Sequence, residues 1–240
     1  MLAAPLIVGI VLGGPSLRHV LLVPAWVAAY LFYQTFTNWY RAAAGQRRRY
    51  RTPMIVYAAI ATALGVPLLM VTPRLLWWSP VFVVLSAVTL GCIVRKAVRS
   101  LLNDLATQAA ACLVAVVAVD AATAPHVSLA VAWIAAGCLY AYFAGTSFYV
   151  KTMIRERGRG GWYAASVIYH SVVLAGMAAL GFVFARPAAA WFATCVAVLL
   201  LARAVVVPRR WPKAKPLAIG VGEIVLTVLV IAATLAVCGL

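Results

Sequence analysis

The sequence predicts an all-α fold, a polytopic transmembrane helical bundle with eight full spans and a short first helix. Of its 240 residues, 66% are hydrophobic and only 10% are charged, whereas a soluble domain is about 45–50% apolar and about 25% charged. A chain with this composition cannot cover a globular surface with polar groups, and we therefore expect a lipid bilayer around it. Because a spanning helix needs about 20 apolar residues, eight spans and their connections leave no room for a soluble domain.

The apolar runs are separated by Pro, Gly or charged residues, which commonly mark the ends of helices. We predict a single transmembrane domain over residues 1–240, whose approximate spans are 2–13, 17–37, 53–72, 75–94, 100–119, 127–149, 162–184, 188–206 and 217–239. The first segment is unusual, since its twelve residues reach only about 18 Å at about 1.5 Å each, against a hydrocarbon core of about 30 Å. It is either a half-length or re-entrant element, or a helix whose true start lies upstream of Met1.

Lysine and arginine residues alternate between the two sides of the predicted bundle. The connections after the second, fourth, sixth and eighth spans carry 17 of the 20 bases, namely Arg41, Arg47, Arg48, Arg49, Arg51, Arg95, Lys96, Arg99, Lys151, Arg155, Arg157, Arg159, Arg203, Arg209, Arg210, Lys213 and Lys215. The opposite side carries Arg18, Arg74 and Arg186. The positive-inside rule then predicts an inner-membrane protein with cytoplasmic basic loops, the N-terminus inside and the C-terminus outside. The net charge of +16 is explained by this topology, and we expect no binding to nucleic acid.

Polar residues inside spans are costly in lipid and therefore suggest function. Asp104 lies about one turn inside the fifth span, Gln108 follows on the same helix face, and His170 and Glu223 lie deeper in the seventh and ninth spans. We predict a polar cavity that opens to the cytoplasm and is lined by Asn103, Asp104, Gln108, His170 and Glu223. The alternative is that each residue has a local role, as when Asp104 offsets a helix dipole.

Basic residues next to this predicted cavity would form a rim that binds an anion. The rim consists of Lys151, Arg155 and Arg157 in the connection after the sixth span, and guanidinium groups bind phosphate or carboxylate well. Asp120 lies on the opposite, outer side, where we expect it to be a solvated loop residue. No motif indicates a cofactor or a metal, because the five cysteines are widely spaced and zinc or redox motifs need close pairs.

Several blocks of the sequence resemble one family of bacterial membrane proteins. The blocks AAPLIVGIVLGGPS, RSLLNDLATQAAACLVA, YFAGTSFYVKTMIRERG, SVIYH and PRRWPKAKPLAIGVGEIV are similar to those of the YwiC-like family. The resemblance runs over essentially the whole chain, and because the family has no assigned biochemical activity, it points to no particular mechanism. Members of that family usually carry a motif like HGAW ahead of the first block, and this chain begins after that position. An upstream start of translation explains both the missing motif and the short first helix, and a genuine loss of the segment is the alternative.

Three functions fit these observations. The first is a transporter or permease for a small or amphiphilic anionic ligand, in which intramembrane acids and a histidine couple to protons. The second is an intramembrane transferase whose layout resembles that of UbiA-type prenyltransferases, although the chain has one Asn-Asp pair where those enzymes have two Asp-rich motifs. The third is a non-catalytic subunit or assembly factor bound to a partner chain in a membrane complex.

Overall fold

The predicted all-α fold is confirmed in a computed structural model, which describes residues 2–183 and 187–240. The described residues form nine α-helices and no strand, with bounds α1 Ala3–Gly13, α2 Leu17–Arg41, α3 Arg48–Val71, α4 Ser79–Val94, α5 Leu101–Ala121, α6 Leu129–Val150, α7 Gly160–Val183, α8 Pro187–Arg210 and α9 Pro216–Cys238. Eight described segments are long and apolar enough to cross a bilayer, whereas α1 is too short. Met1 and Arg186, which entered the predictions of the start and of the topology, lie outside the described residues.

Two short elements continue the helical path at span ends. A 3₁₀ helix, Pro73–Trp78, runs directly into α4, so that the two together make one span of 22 residues. A single π-helical turn, Lys151–Arg155, follows α6. Proline does not interrupt the spans in which it occurs, since α3 runs unbroken through Pro67; neighbouring helices commonly compensate for the lost hydrogen bond in lipid.

The chain divides into two compact units, Met1–Trp133 and Ile134–Leu240, and the boundary falls within α6. Whether they form the single transmembrane domain expected from the sequence stays a prediction. The first unit is organised around α5, because 67% of its apolar stretch is buried, against 17% in α2, 6% in α3 and 17% in the span Pro73–Val94. The second unit comprises the rest of α6 with α7, α8 and α9.

Within the first unit, α2 and α5 run in opposite directions. His19 Nε2, near the start of α2, lies 2.8 Å from the carbonyl oxygen of Ala118, near the end of α5. Tyr33, near the end of α2, donates from its hydroxyl to Asn103 Oδ1 at 3.5 Å, near the start of α5. The later residues of α2 and the earlier residues of α5 therefore lie at the same end of this unit.

Two expectations about charged residues are corrected by the structure. Asp120 is not in a solvated loop: it belongs to the last turn of α5, pairs with Arg74 Nε at 3.1 Å and accepts a hydrogen bond from Trp78 Nε1 at 2.9 Å. Arg203 is not a base of the connection after α8, because α8 continues to Arg210 and buries the Arg203 side chain. The sequence reasoning failed at Arg203 because it assigned every base near a span end to the adjoining loop.

Candidate functional site

The first unit contains a cavity of about 690 Å³ between α2, α3, α4 and α5. The lining changes from apolar to polar along the helices. On α2 it changes from Leu22 and Trp26 in the first half of the helix to Gln34 and Thr37 in the second half. Because α2 and α5 are antiparallel, the polar residues of both meet at one end of the cavity. The cavity is therefore amphiphilic, with a polar end and an apolar end.

The polar end is formed by hydroxyl, amide and carboxyl side chains from three helices. They are Tyr33, Gln34, Thr37, Ser86, Thr89, Asn103, Asp104, Thr107 and Gln108. Within this set Asn103 is held firmly, since its Nδ2 donates to the carbonyl oxygen of Val98 at 2.9 Å and its Oδ1 accepts from Tyr33. Asn103, Asp104 and Gln108, all from the first turns of α5, thus line the same cavity.

The start of α5 is fixed by its N-terminal cap. Ser100 is the residue before the helix, and its Oγ accepts a hydrogen bond from the backbone N–H of Asn103 at 3.2 Å. A serine cap satisfies one of the N–H groups that the first turn leaves unpaired. The cap fixes where α5 begins, and so sets the register in which its polar residues face the cavity.

The apolar end is lined by aliphatic and aromatic side chains. The rings of Trp26 on α2 and Phe82 on α4 lie 6.1 Å apart at an angle of 58°, a tilted contact between the two helices. Val114 and Val117 of α5 complete this end. The indole N–H of Trp26 is buried and has no hydrogen-bond partner in the described part of the chain. A buried indole N–H normally finds an acceptor, so this end contains one unused donor.

The second unit contains a buried ion pair between Arg203 of α8 and Glu223 of α9. Arg203 Nη1 donates to Glu223 Oε1, and the two side chains are only 8% and 15% exposed. The Arg203 guanidinium also lies over the ring of Tyr149, 4.1 Å from its centroid. Burying two charges is costly unless they are well paired and hydrogen-bonded. Both groups therefore need further hydrogen bonds from their surroundings.

Hydroxyl groups complete the surroundings of Glu223. Thr146 Oγ1 donates to Glu223 Oε2 at 3.0 Å, and the Tyr142 hydroxyl lies 3.3 Å from the same oxygen. The Tyr142 hydroxyl oxygen also lies 2.9 Å from Thr227 Oγ1. The two carboxylate oxygens therefore have different partners: one faces the guanidinium, and the other faces hydroxyl groups of α6.

His170 of α7 contacts the ion pair through one ring nitrogen. Its Nδ1 lies 2.7 Å from the carbonyl oxygen of Ser166, which can only accept, so Nδ1 carries the proton. Its Nε2 is then free to accept from Arg203 Nη2 at 3.4 Å. Gly145 of α6 allows this ring to approach, since a Cβ there would lie 3.0 Å from His170 Nε2. His170 is thus a neutral acceptor toward the arginine.

The residues predicted to form an anion-binding rim have other contacts in the second unit. Lys151 is buried, with its Nζ 5.6 Å from the centroid of the Trp162 ring. Arg157 donates from Nε to the carbonyl oxygen of Met153 at 2.8 Å and from Nη2 to that of Ala214 at 3.3 Å. Arg155 is exposed. The rim stays a prediction.

The predicted cavity residues fall into two groups. Asn103, Asp104 and Gln108 line the cavity of the first unit, and His170 and Glu223 meet at Arg203 in the second. A single cavity that contains all five stays a prediction. The sequence reasoning missed Arg203, although a base within the apolar run VLLLARAVVV was a signal that it lies inside a span.

These features define the class: eight segments of the described part of the chain are long and apolar enough to cross a bilayer, which makes the chain a multi-pass α-helical membrane protein. Residues 1–119 match the family model described as YwiC-like protein, which confirms over that range the resemblance to the YwiC-like family. A relative from Haemophilus influenzae (strain ATCC 51907 / DSM 11121 / KW20 / Rd), named only as an uncharacterized protein, is 28% identical over 177 residues, or 71% of this chain and 70% of the relative. No solved structure matches the chain. The matched range includes the cavity of the first unit but not the ion pair of the second.

Proposed function

We propose that this protein is a permease-like inner-membrane protein that binds an amphiphilic small molecule in the cavity of its first unit and moves it across or within the bilayer. The observation that carries the proposal is the division of that cavity into a polar and an apolar end. A volume of about 690 Å³ lies in the range of about 300–1,000 Å³ that is typical of small-molecule sites. A ligand with a polar head and an apolar chain would satisfy both ends at once.

The polar end lies on the side of the membrane that we propose to be cytoplasmic. It is formed by the later turns of α2 and the earlier turns of α5, next to connections rich in arginine and lysine. The positive-inside rule places such connections in the cytoplasm. The ligand head would therefore enter or leave on the cytoplasmic side.

The charge of the lining favours a head group that is uncharged or cationic. The described residues that line the cavity include no lysine or arginine, so the lining offers an anionic head no cationic partner. The ligand proposed here therefore differs from the anionic ligand expected from the sequence, since Lys151, Arg155 and Arg157 lie in the second unit. Hydroxyl and amide groups at the polar end are suited to a head group that both donates and accepts hydrogen bonds.

The experiment compares three photoreactive amphiphiles that have the same diazirine-bearing chain and different heads. A monoacylglycerol has a neutral head, a long-chain amine a cationic head and a lysophosphatidic acid an anionic head. Purified full-length protein in detergent is irradiated with each probe, and the labelled peptides are identified by mass spectrometry. We expect the neutral or the cationic probe to label peptides of α2, α4 and α5 more strongly than the anionic probe does.

Preferential labelling by the anionic probe would contradict the proposed head group. Labelling spread evenly over all lipid-facing helices by every probe would contradict the cavity as a binding site. Movement is tested separately in proteoliposomes that contain a fluorescent NBD-monoacylglycerol, whose outer-leaflet fraction is quenched by dithionite. We expect the protein to increase the quenched fraction beyond that of protein-free vesicles, and an unchanged fraction would contradict transport of this neutral amphiphile.

A further inference from the structure

We infer that the ligand of the first unit is a lipid already dissolved in the bilayer, which reaches the cavity sideways through a seam between α3 and α4. The seam is the gap between residues 52–71 of α3 and residues 79–94 of α4. The inference rests on the proposed function, since it concerns the same cavity, and it adds the source of the ligand. That source is the lipid leaflet next to the polar end of the cavity.

The cavity lies between two pairs of packed helices. α2 packs against α3, and α4 packs against α5, whereas the backbones of α3 and α4 come close to each other almost nowhere. The opposite side of the cavity is tied together. His19 Nε2 of α2 lies 2.8 Å from the carbonyl oxygen of Ala118, and the Tyr33 hydroxyl donates to Asn103 Oδ1 of α5. The wall of the cavity is therefore open on the side where α3 and α4 face each other.

The seam is closed at one end and open toward the other. The 3₁₀ helix Pro73–Trp78 connects α3 to α4 and contacts both of them. Two of its residues, Arg74 and Trp78, are bound to Asp120 in the last turn of α5. At the other end α3 is joined to α2 and α4 is joined to α5, so no connection links α3 directly to α4 there. Because Thr89 of α4 lines the polar end of the cavity, the open end of the seam lies at the level of the polar end.

Both walls of the seam are suited to an acyl chain. Residues 52–71 and 79–94 contain no aspartate, glutamate, lysine or arginine, and charged groups are costly within the hydrocarbon of a bilayer. Only 6% of the apolar stretch of α3 is buried. Aliphatic side chains of both helices are well exposed, with Ile60 at 41%, Val66 at 49% and Val83 at 65%. The seam therefore offers a lipid chain the same apolar surroundings as the bilayer interior.

The residues that line the cavity along the seam leave room for a chain to pass. Ala61 and Gly65 line it from α3, and a Cβ at Gly65 would meet nothing within 4 Å. Ser86 lines it from α4 and is exposed although it lies within a span, so the cavity reaches the protein surface along this helix. A chain that passes between these three small residues would displace no bulky side chain.

The first test closes the seam with a covalent bridge. Ala61→Cys and Ser86→Cys place one thiol on each side of it, in full-length protein whose five native cysteines are replaced by alanine. The protein is reconstituted in lipid vesicles and bridged with a bis-maleimide, either before or after addition of the photoreactive monoacylglycerol. We expect bridging before the probe to abolish labelling of α2, α4 and α5, and bridging after the probe to preserve it. Both orders use the same variant, so any effect of the substitutions themselves cancels.

The outcomes separate this inference from the proposed function. Equal labelling in the two orders of addition would overturn entry through the seam, while the labelled cavity would still support the proposed function. Failure of the unbridged protein to be labelled in the cavity would overturn both. Treatment with N-ethylmaleimide, which caps the two thiols without joining them, is the control for added bulk, and we expect labelling to persist after it.

A second measurement does not depend on formation of the bridge. A nitroxide spin label on Ala61→Cys alone reports which phase fills the seam, because molecular oxygen concentrates in lipid and a charge-neutral nickel chelate stays in water. We expect oxygen to relax this label more strongly than the nickel chelate does. The control is Gly45→Cys, in the exposed connection between α2 and α3, where the nickel chelate should dominate. Stronger relaxation by the nickel chelate at Ala61→Cys would overturn a seam open to lipid.

Discussion

At the scale of single residues, the Arg203–Glu223 pair should contribute far more to stability than an exposed pair does. Breaking a buried pair by removal of one partner costs about 3–5 kcal/mol, because the other charge stays buried. Arg203→Met should therefore lower the Tm strongly, as measured by intrinsic tryptophan fluorescence of the protein in detergent. The matched control is Arg159→Met, since Arg159 is 73% exposed in its pair with Glu156 and exposed pairs contribute about 0–1 kcal/mol. Equal losses of Tm in the two variants would contradict a larger contribution of the buried pair.

The partner of Glu223 could not be predicted from the sequence. The depth of Glu223 and His170 in their spans identified both as functional candidates, because ionisable residues are rare in lipid. Periodicity along one helix says nothing about which residue of another helix completes the contact. Arg203 was therefore counted as a loop base, although the structure places its guanidinium against both of them.

At the scale of helices, the short α1 is anchored by close packing on α5. Gly9 and Gly13 lie one turn apart and face α5: a Cβ at Gly9 would lie 2.7 Å from Ala115 Cα, and one at Gly13 would lie 3.0 Å from Val119 Cα. Small residues at this spacing allow helices in lipid to approach closely. The length of α1 could be predicted from its apolar run, but its partner could not, since small residues in GIVLG and in α5 fit many pairings.

The Gly9 contact predicts a sharp difference between two glycine variants. Gly9→Ala forces α1 away from the backbone of α5, and overpacking of this kind costs about 1–3 kcal/mol. Gly137→Ala is the control, because a Cβ there meets nothing within 4 Å. We expect Gly9→Ala to lower the Tm and Gly137→Ala to leave it unchanged or slightly higher. A Tm for Gly9→Ala equal to that of the control would contradict the close packing of α1 on α5.

At the scale of the whole molecule, the all-α membrane fold could be predicted almost entirely from composition and the length of apolar runs, because the bilayer allows few alternatives. The cavity could not, since it depends on how four helices pack. What the sequence did contain was the set of polar residues at one end of α2, α4 and α5. Only the antiparallel packing of α2 on α5 showed that those residues of different helices lie at one level.

The proposed orientation predicts where the connections and termini lie. With Arg203 moved into α8, 16 bases on one side still face 3 on the other, so the positive-inside rule gives the same result. Alkaline phosphatase, which is active only outside the cytoplasm, should be active when fused after Leu240 and inactive when fused after Lys213, in the connection between α8 and α9. Activity of the second fusion and inactivity of the first would reverse the orientation, and with it the side on which the cavity's polar end lies.

The central claim is that the cavity of the first unit binds an amphiphile, and one pair of variants tests it most directly. Gly65 lines the cavity and Gly91 does not, while a Cβ at either position meets nothing within 4 Å. A leucine can therefore be introduced at either position without a clash at its Cβ, and we expect the leucine at Gly65 to take space from the cavity. Photolabelling by the monoacylglycerol probe should fall about tenfold in Gly65→Leu, as expected when a site is overfilled, and should be unchanged in Gly91→Leu. Equal labelling of wild type and both variants would contradict the account.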